Sequence, residues 1–151
     1  MTTTPAFALT PDIIDLVTGA LDAGAALLLA AVDRQGRPVL SYRGSTAVYS
    51  QDQLCLWVRN AEGGTIDAIT HNPNVAMMYR SAAVPMLQFA GRARIVDDAA
   101  ELDRAFALAH ERERRSDPER KGRAVVIDLD FVGGVTGFDE SGPKLVRLAR
   151  G

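Results

Sequence analysis

Six residues between positions 43 and 65, Arg43, Arg59, Asn60, Gly63, Gly64 and Thr65, are of the types that hold an anion. Glycines let a ligand approach the backbone, the first amides of a helix point outward unpaired, and a threonine hydroxyl adds a donor. Arg43 or Arg59 would supply positive charge. The same residues also read as a plain Gly63-Gly64 turn with solvated arginines at strand ends. No G-x-G-x-x-G, no phosphate loop ending in G-K-S/T, no H-E-x-x-H and no C-x-x-C occurs. Nor does a serine sit in a G-x-S-x-G elbow.

Other reactive side chains have plain readings. His71, His110 and the single cysteine, Cys55, are too far apart in sequence to suggest a zinc site, and Cys55 reads as a small buried hydrophobe. Trp57 could stack near a ligand or line an interface, but equally belongs in a core. Met77-Met78 fits core packing, and Tyr79-Arg80 could reach a subunit interface. The run Glu111-Arg112-Glu113-Arg114-Arg115 reads as a solvated helix face.

The elements that must position these groups follow from the pattern. Thr10-Pro11-Asp12 starts a helix, with Ile13, Ile14, Val17 and Leu21 on one face and a stop at Asp22-Ala23-Gly24. Ala25 to Val32 and Pro38 to Tyr42 form a hairpin about Asp33-Arg34-Gln35-Gly36, and Ser45 to Tyr49 and Gln53 to Arg59 form a second. In the latter, Leu54, Leu56 and Val58 alternate with Cys55, Trp57 and Arg59. Thr65 to His71 is a short helix stopped by Asn72-Pro73. Val75 to Arg80 and Met86 to Val96 are strands, with Gly91 marking a bulge or bend. A helix is expected from Ala99 to Arg115, a polar loop to Gly122, and strands over Arg123 to Asp130, Gly133 to Phe138 and Lys144 to Leu148. Hairpins rather than crossover helices connect the first half, which points to a mainly β, α+β chain: a closed or split antiparallel barrel with packed helices.

The composition agrees. A chain of 151 residues, 47% hydrophobic and 24% charged, fits a single globular domain over 1–151. Its net charge of −2 gives no general attraction to nucleic acid. The apolar run Ala25 to Val32 is too short to span a membrane, and Met1-Thr2-Thr3-Thr4-Pro5 lacks the plan of a secretion signal, so a cytoplasmic protein is expected.

Four segments in order, Val32-Asp33-Arg34-Gln35-Gly36-Arg37-Pro38-Val39, Leu54-Cys55-Leu56-Trp57-Val58-Arg59, Asn72-Pro73-Asn74-Val75-Ala76-Met77-Met78 and Leu87-Gln88-Phe89-Ala90-Gly91-Arg92-Ala93, resemble the pyridoxamine 5′-phosphate oxidase-related family. The N-P-x-V element followed by the G-R-A strand carries most of the likeness. The resemblance implies a split β-barrel, usually a homodimer, holding FMN or a deazaflavin between subunits, and acting as an oxidase, reductase or flavin carrier. By position it sets Val58, Arg59 and Asn60 beside the flavin and Arg43 on its phosphate; Arg43 matches in type as well. Gly63-Gly64-Thr65 stand where the family commonly has a Ser-Arg-Lys-like grip, so two cations are replaced. A haem, or no cofactor, is therefore also open. The tail Gly142 to Gly151 lacks the tryptophan and long basic signature of the true oxidase, and vitamin B6 oxidation is not expected. The resulting expectation is a flavin-dependent oxidoreductase acting on a small molecule, with a non-catalytic flavin- or small-molecule-sensing dimer as the alternative.

Overall fold

The computed structural model describes residues 7–83 and 85–150; the Met1 to Pro5 stretch lies outside them. Helix α1 (Pro11–Thr18) begins as its sequence dictates: the Thr10 hydroxyl accepts from the Ile13 amide, Pro11 occupies the first turn, and Ile13 and Val17 are buried. It ends at Gly19, before the expected stop. The Ala25 amide bonds back to the Ala20 carbonyl and Gly24 takes a φ of +71°, so Leu21 lies in a turn that delivers the chain to the sheet.

Strands β1 (Leu27–Val32) and β2 (Pro38–Arg43) pair antiparallel. Their turn is organised by the Asp33 carboxylate, which accepts from the Gln35 and Arg37 amides at 2.9 Å each. Strands β3 (Ala47–Ser50) and β4 (Gln53–Val58) form the second hairpin, and Arg59 lies just beyond the strand end. After α2 (Gly64–His71) come β5 (Asn74–Arg80) and β6 (Met86–Val96).

The helix expected over Ala99 to Arg115 is two helices, α3 (Ala99–Leu108) and α4 (Glu111–Arg115). Ala109 turns to an extended conformation, and the His110 ring then caps α4 by accepting from the Arg112 amide at 3.0 Å. A helix continued through 109–110 would forfeit that cap and the 2.7 Å contact between His110 Nε2 and Asp22.

The two strands expected over 123–138 are one, β7 (Arg123–Asp139), paired with β8 (Gly142–Ala149). Gly133-Gly134 does not interrupt β7 because both residues are held in register by β6 on one side and β8 on the other. Gly134 has a φ of +143°, and a Cβ there would overlap the Met86 carbonyl.

The eight strands make one antiparallel sheet, seven of them in the order β2-β1-β5-β6-β7-β4-β3 and β8 paired with β7 off that path. On one side β6 follows β7 along most of its length; on the other, β4 takes residues 123–128 and β8 takes residues 131–139. That division produces the split barrel. Opposite the step from Ala90 to Gly91 the register jumps from Phe131 to Leu129, leaving Asp130 as the extra residue of a bulge. A Cβ on Gly91 would overlap the Asp128 carbonyl.

Leu54, Leu56 and Val58 point into the barrel with Leu27, Phe89 and Ile127. Cys55 and Trp57, on the opposite face of β4, pack under α3 with Phe106 and Val126. Strand β4 is therefore buried on both faces, and the Trp57 and Phe106 rings meet edge to face, 4.8 Å apart. On the outer face of β2-β1-β5-β6-β7-β8, away from α3, Leu40, Tyr42, Met78 and Leu145 are exposed. One row of cross-strand partners there runs Tyr42, Leu28, Met78, Gln88, Gly133 and Arg147; the next runs Leu40, Ala30, Ala76, Ala90, Phe131 and Ala149. Among the described residues no helix is long and apolar enough to cross a membrane.

Candidate functional site

Arg43 is the last residue of β2, and the turn after it is pinned by Thr46, whose hydroxyl donates to the Arg43 carbonyl at 2.7 Å. Ser45 then binds the end of β4 twice, donating to the Trp57 carbonyl at 3.0 Å and accepting from its amide at 2.9 Å. These contacts bring the end of β2 beside the end of β4, across from the start of α2. The Arg43 guanidinium donates to the Thr65 hydroxyl from its terminal nitrogen, while its Nε is buried without a hydrogen-bond partner among the described residues. Burial pushes the Arg43 pKa below its ordinary value; the Glu113 carboxylate opposes that shift, and the Arg59 charge adds to it. The group keeps its charge, since an arginine starts far above neutral pH. A half-buried cation with a spare donor is a place where an anion is favoured.

A cleft of about 540 Å³ opens beside this guanidinium and brings Arg43, Arg59 and Asn60 together. Thr65 is joined to the group through Arg43. Gly63 and Gly64, at the start of α2, are outside the cleft lining and exposed. Their φ angles of +83° and +53°, with nothing near where a Cβ would stand, show that backbone conformation selects glycine there. Gly63 is the N-cap and no side chain caps the helix, so its first amides are available to an anion. Asp67 of α2 is held by Arg34 in a forked contact of 2.9–3.0 Å, which ties the β1-β2 turn to this helix. The Val58 side chain is not in the cleft: it is part of the barrel core. Only its backbone reaches this region, packed against Gly122.

The cleft also contains residues that the sequence patterns did not single out as site residues: Tyr42, Glu113, Asp117 and Lys121, with Trp57 at its back. Asp117 accepts from Trp57 Nε1 and the Gly122 amide at 2.8 Å, and from the Lys121 amide at 3.0 Å. Burial would raise its pKa, but these donors together hold the carboxyl below the usual carboxylate range. Gly122 must be glycine for this loop to close, because a Cβ would stand 2.5 Å from the Val58 carbonyl and 2.8 Å from Trp57 Nε1. The available signal was the Asp117-Pro118 pair, which favours a side-chain-organised turn. Glu113 had none, since it lies inside a charged run.

His110 is engaged at both ring nitrogens, by the Arg112 amide and by Asp22, and His71 is exposed at the end of α2. Among the described residues no group of three or more His, Cys, Asp or Glu side chains could hold a metal ion. Cys55 is buried between β4 and α3, with its pKa pushed up to about 12 by burial.

The fold recurs in solved structures. HupZ of Group A Streptococcus is 17% identical, with 95% of this chain and 99% of that chain covered and a TM-score of 0.64. A heme binding protein from Mycobacterium smegmatis is 14% identical, covering 98% of this chain and 60% of that one, with a TM-score of 0.63. A putative pyridoxamine 5′-phosphate oxidase from Lactobacillus delbrueckii is 16% identical, covering 87% and 98%, with a TM-score of 0.60. No curated protein matches the sequence. The family model described as pyridoxamine 5′-phosphate oxidase matches residues 18–134, which takes in the split barrel from the end of α1 to the middle of β7 and shows that the chain belongs to that family.

Proposed function

We propose that the chain is a flavin-dependent oxidoreductase of the cytoplasm, acting on a small molecule as a homodimer with FMN or a deazaflavin held at the subunit interface. The observation that carries this reading is Arg43, with a buried, unpartnered Nε beside Thr65 and the uncapped start of α2. Arg43 neutralises the phosphate, the Thr65 hydroxyl and the amides of Gly64 and Thr65 donate to it, and Arg59 and Asn60 at the end of β4 border the ring. The flavin supplies the electron chemistry, so no protein nucleophile is needed.

The dimer is supported by the uncovered sheet face, where Leu40 is 67%, Tyr42 75% and Leu145 78% exposed. Contiguous apolar surface of this kind marks an association site. Tyr42 belongs both to that face and to the cleft, so a second copy seated there would close one side of the site.

Native mass spectrometry of freshly purified protein reads subunit number and cofactor mass together, and a flavin titration reads affinity. We expect a dimer, flavin fluorescence quenched at micromolar concentration, and an Arg43→Ala variant that binds about tenfold or more weakly. That factor follows from losing a charge-assisted contact of about 1.5–3 kcal/mol. A colourless monomer that ignores added FMN would refute the proposal, and a haem spectrum in the purified protein would transfer the site to the other cofactor. Gly63-Gly64, in place of two cations, favours a second reading in which the dimer binds its ligand without turnover. Nicotinamide oxidation that requires flavin and Arg43 would exclude it.

A further inference from the structure

Glu113 projects from the five-residue helix α4 into the same cleft as Arg43, half-buried, and forms no ion pair among the described residues. Its placement is built into the fold. The His110 ring caps α4 and reaches Asp22, and Arg114 donates to the carbonyls of Ala107 at 2.8 Å and Ala109 at 3.0 Å, so both ends of the helix are tied down. Gly44, the residue after Arg43, leaves the space for the carboxylate: a Cβ there would stand 2.6 Å from Glu113 Oε1. The carboxylate acts on Arg43 electrostatically without pairing with it.

We propose that Glu113 is a specificity-determining residue of the cleft: its negative charge beside Arg43 tempers the hold on a phosphomonoester dianion such as that of FMN and so sets how far that ligand is preferred over an uncharged one. The inference rests on the reading of Arg43 as the anion grip. It explains how a cleft containing Arg43, Arg59 and Lys121 can be selective rather than a general anion trap.

FMN and riboflavin share a ring and differ by the phosphate, so the ratio of their affinities isolates the charge effect. A unit charge a few ångströms away in a half-exposed cleft changes affinity by about tenfold. Glu113→Gln is expected to raise the FMN-to-riboflavin affinity ratio by that factor at low salt and by clearly less at high salt, while Glu113→Asp keeps the wild-type ratio. Trp57 emission verifies that each variant is folded. An unchanged ratio in E113Q, with Arg43→Ala still abolishing the FMN preference, overturns the role of Glu113 and leaves the Arg43 reading intact. An FMN preference indifferent to Arg43, or no FMN binding by either wild type or E113Q, overturns both.

Discussion

Asp117 is the residue whose removal should disturb the back of the cleft most. Its carboxylate is 8% exposed and accepts from Trp57 Nε1, the Gly122 amide and the Lys121 amide. In Asp117→Ala, at least the Trp57 and Gly122 donors, both in buried surroundings, lose their acceptor. Each orphaned donor costs about 1–3 kcal/mol, and because one group serves all three the losses do not simply add, which gives about 3–5 kcal/mol. For a chain of this size that corresponds to a fall in melting temperature of about 6–20 °C. The assay reports on itself, since Trp57 is the single tryptophan: its emission should shift to the red as the indole loses its partner and admits water, and urea titrations followed at that wavelength give the stability. The same carboxylate predicts a pH dependence. Its pKa in the folded protein lies below its unfolded value of about 3.9, so its stabilisation is fully present above that pH and disappears as pH falls through the folded value. Asp117→Asn should therefore be less stable than wild type at pH 7, and the gap should narrow below pH 4. An alanine variant melting within about 2 °C of wild type, with unchanged emission, would refute the reasoning.

Cys55, with its thiol pushed up to about 12, should resist a thiol-specific reagent at pH 8 in the folded protein and react at one equivalent in denaturant; prompt reaction of the native protein would show that α3 does not cover it. Gly91→Ala places a methyl group against the Asp128 carbonyl at the bulge and should destabilise the barrel by about 1–3 kcal/mol, read from the urea midpoint; an unchanged midpoint would mean the bulge can relax.

Much of the sheet was legible because side-chain alternation along a strand is a local property: Leu54, Leu56 and Val58 turn to the barrel and Cys55 and Trp57 to α3, two faces that the chain itself separates before its neighbours are known. Thr10 with Pro11, and Asn72 with Pro73, marked helix boundaries through backbone chemistry that operates over three or four residues. Gly91 signalled a bend for the same reason. The break at Ala109-His110 was not legible, because it depends on Asp22, 88 residues away. The gap expected between Asp130 and Gly133 is closed because Phe131 and Val132 pair with both β6 and β8, which only the assembled sheet brings together.

For the site, the sequence by itself determined the residue types and their order: Arg43 ahead of the second hairpin, Arg59 and Asn60 at its end, then Gly63-Gly64-Thr65 at a helix start. Tertiary structure decided which of these share a space. It put Arg43 on Thr65, turned the Val58 side chain into the core, and brought Glu113 and Asp117 to the cleft from a segment that reads as a solvated run followed by a polar loop. The physical reason is range. Strand alternation, caps and turns are settled by neighbours within a few residues, whereas the field at Arg43 is the sum of charges delivered by β2, β4 and α4, and only the folded barrel sets their distances.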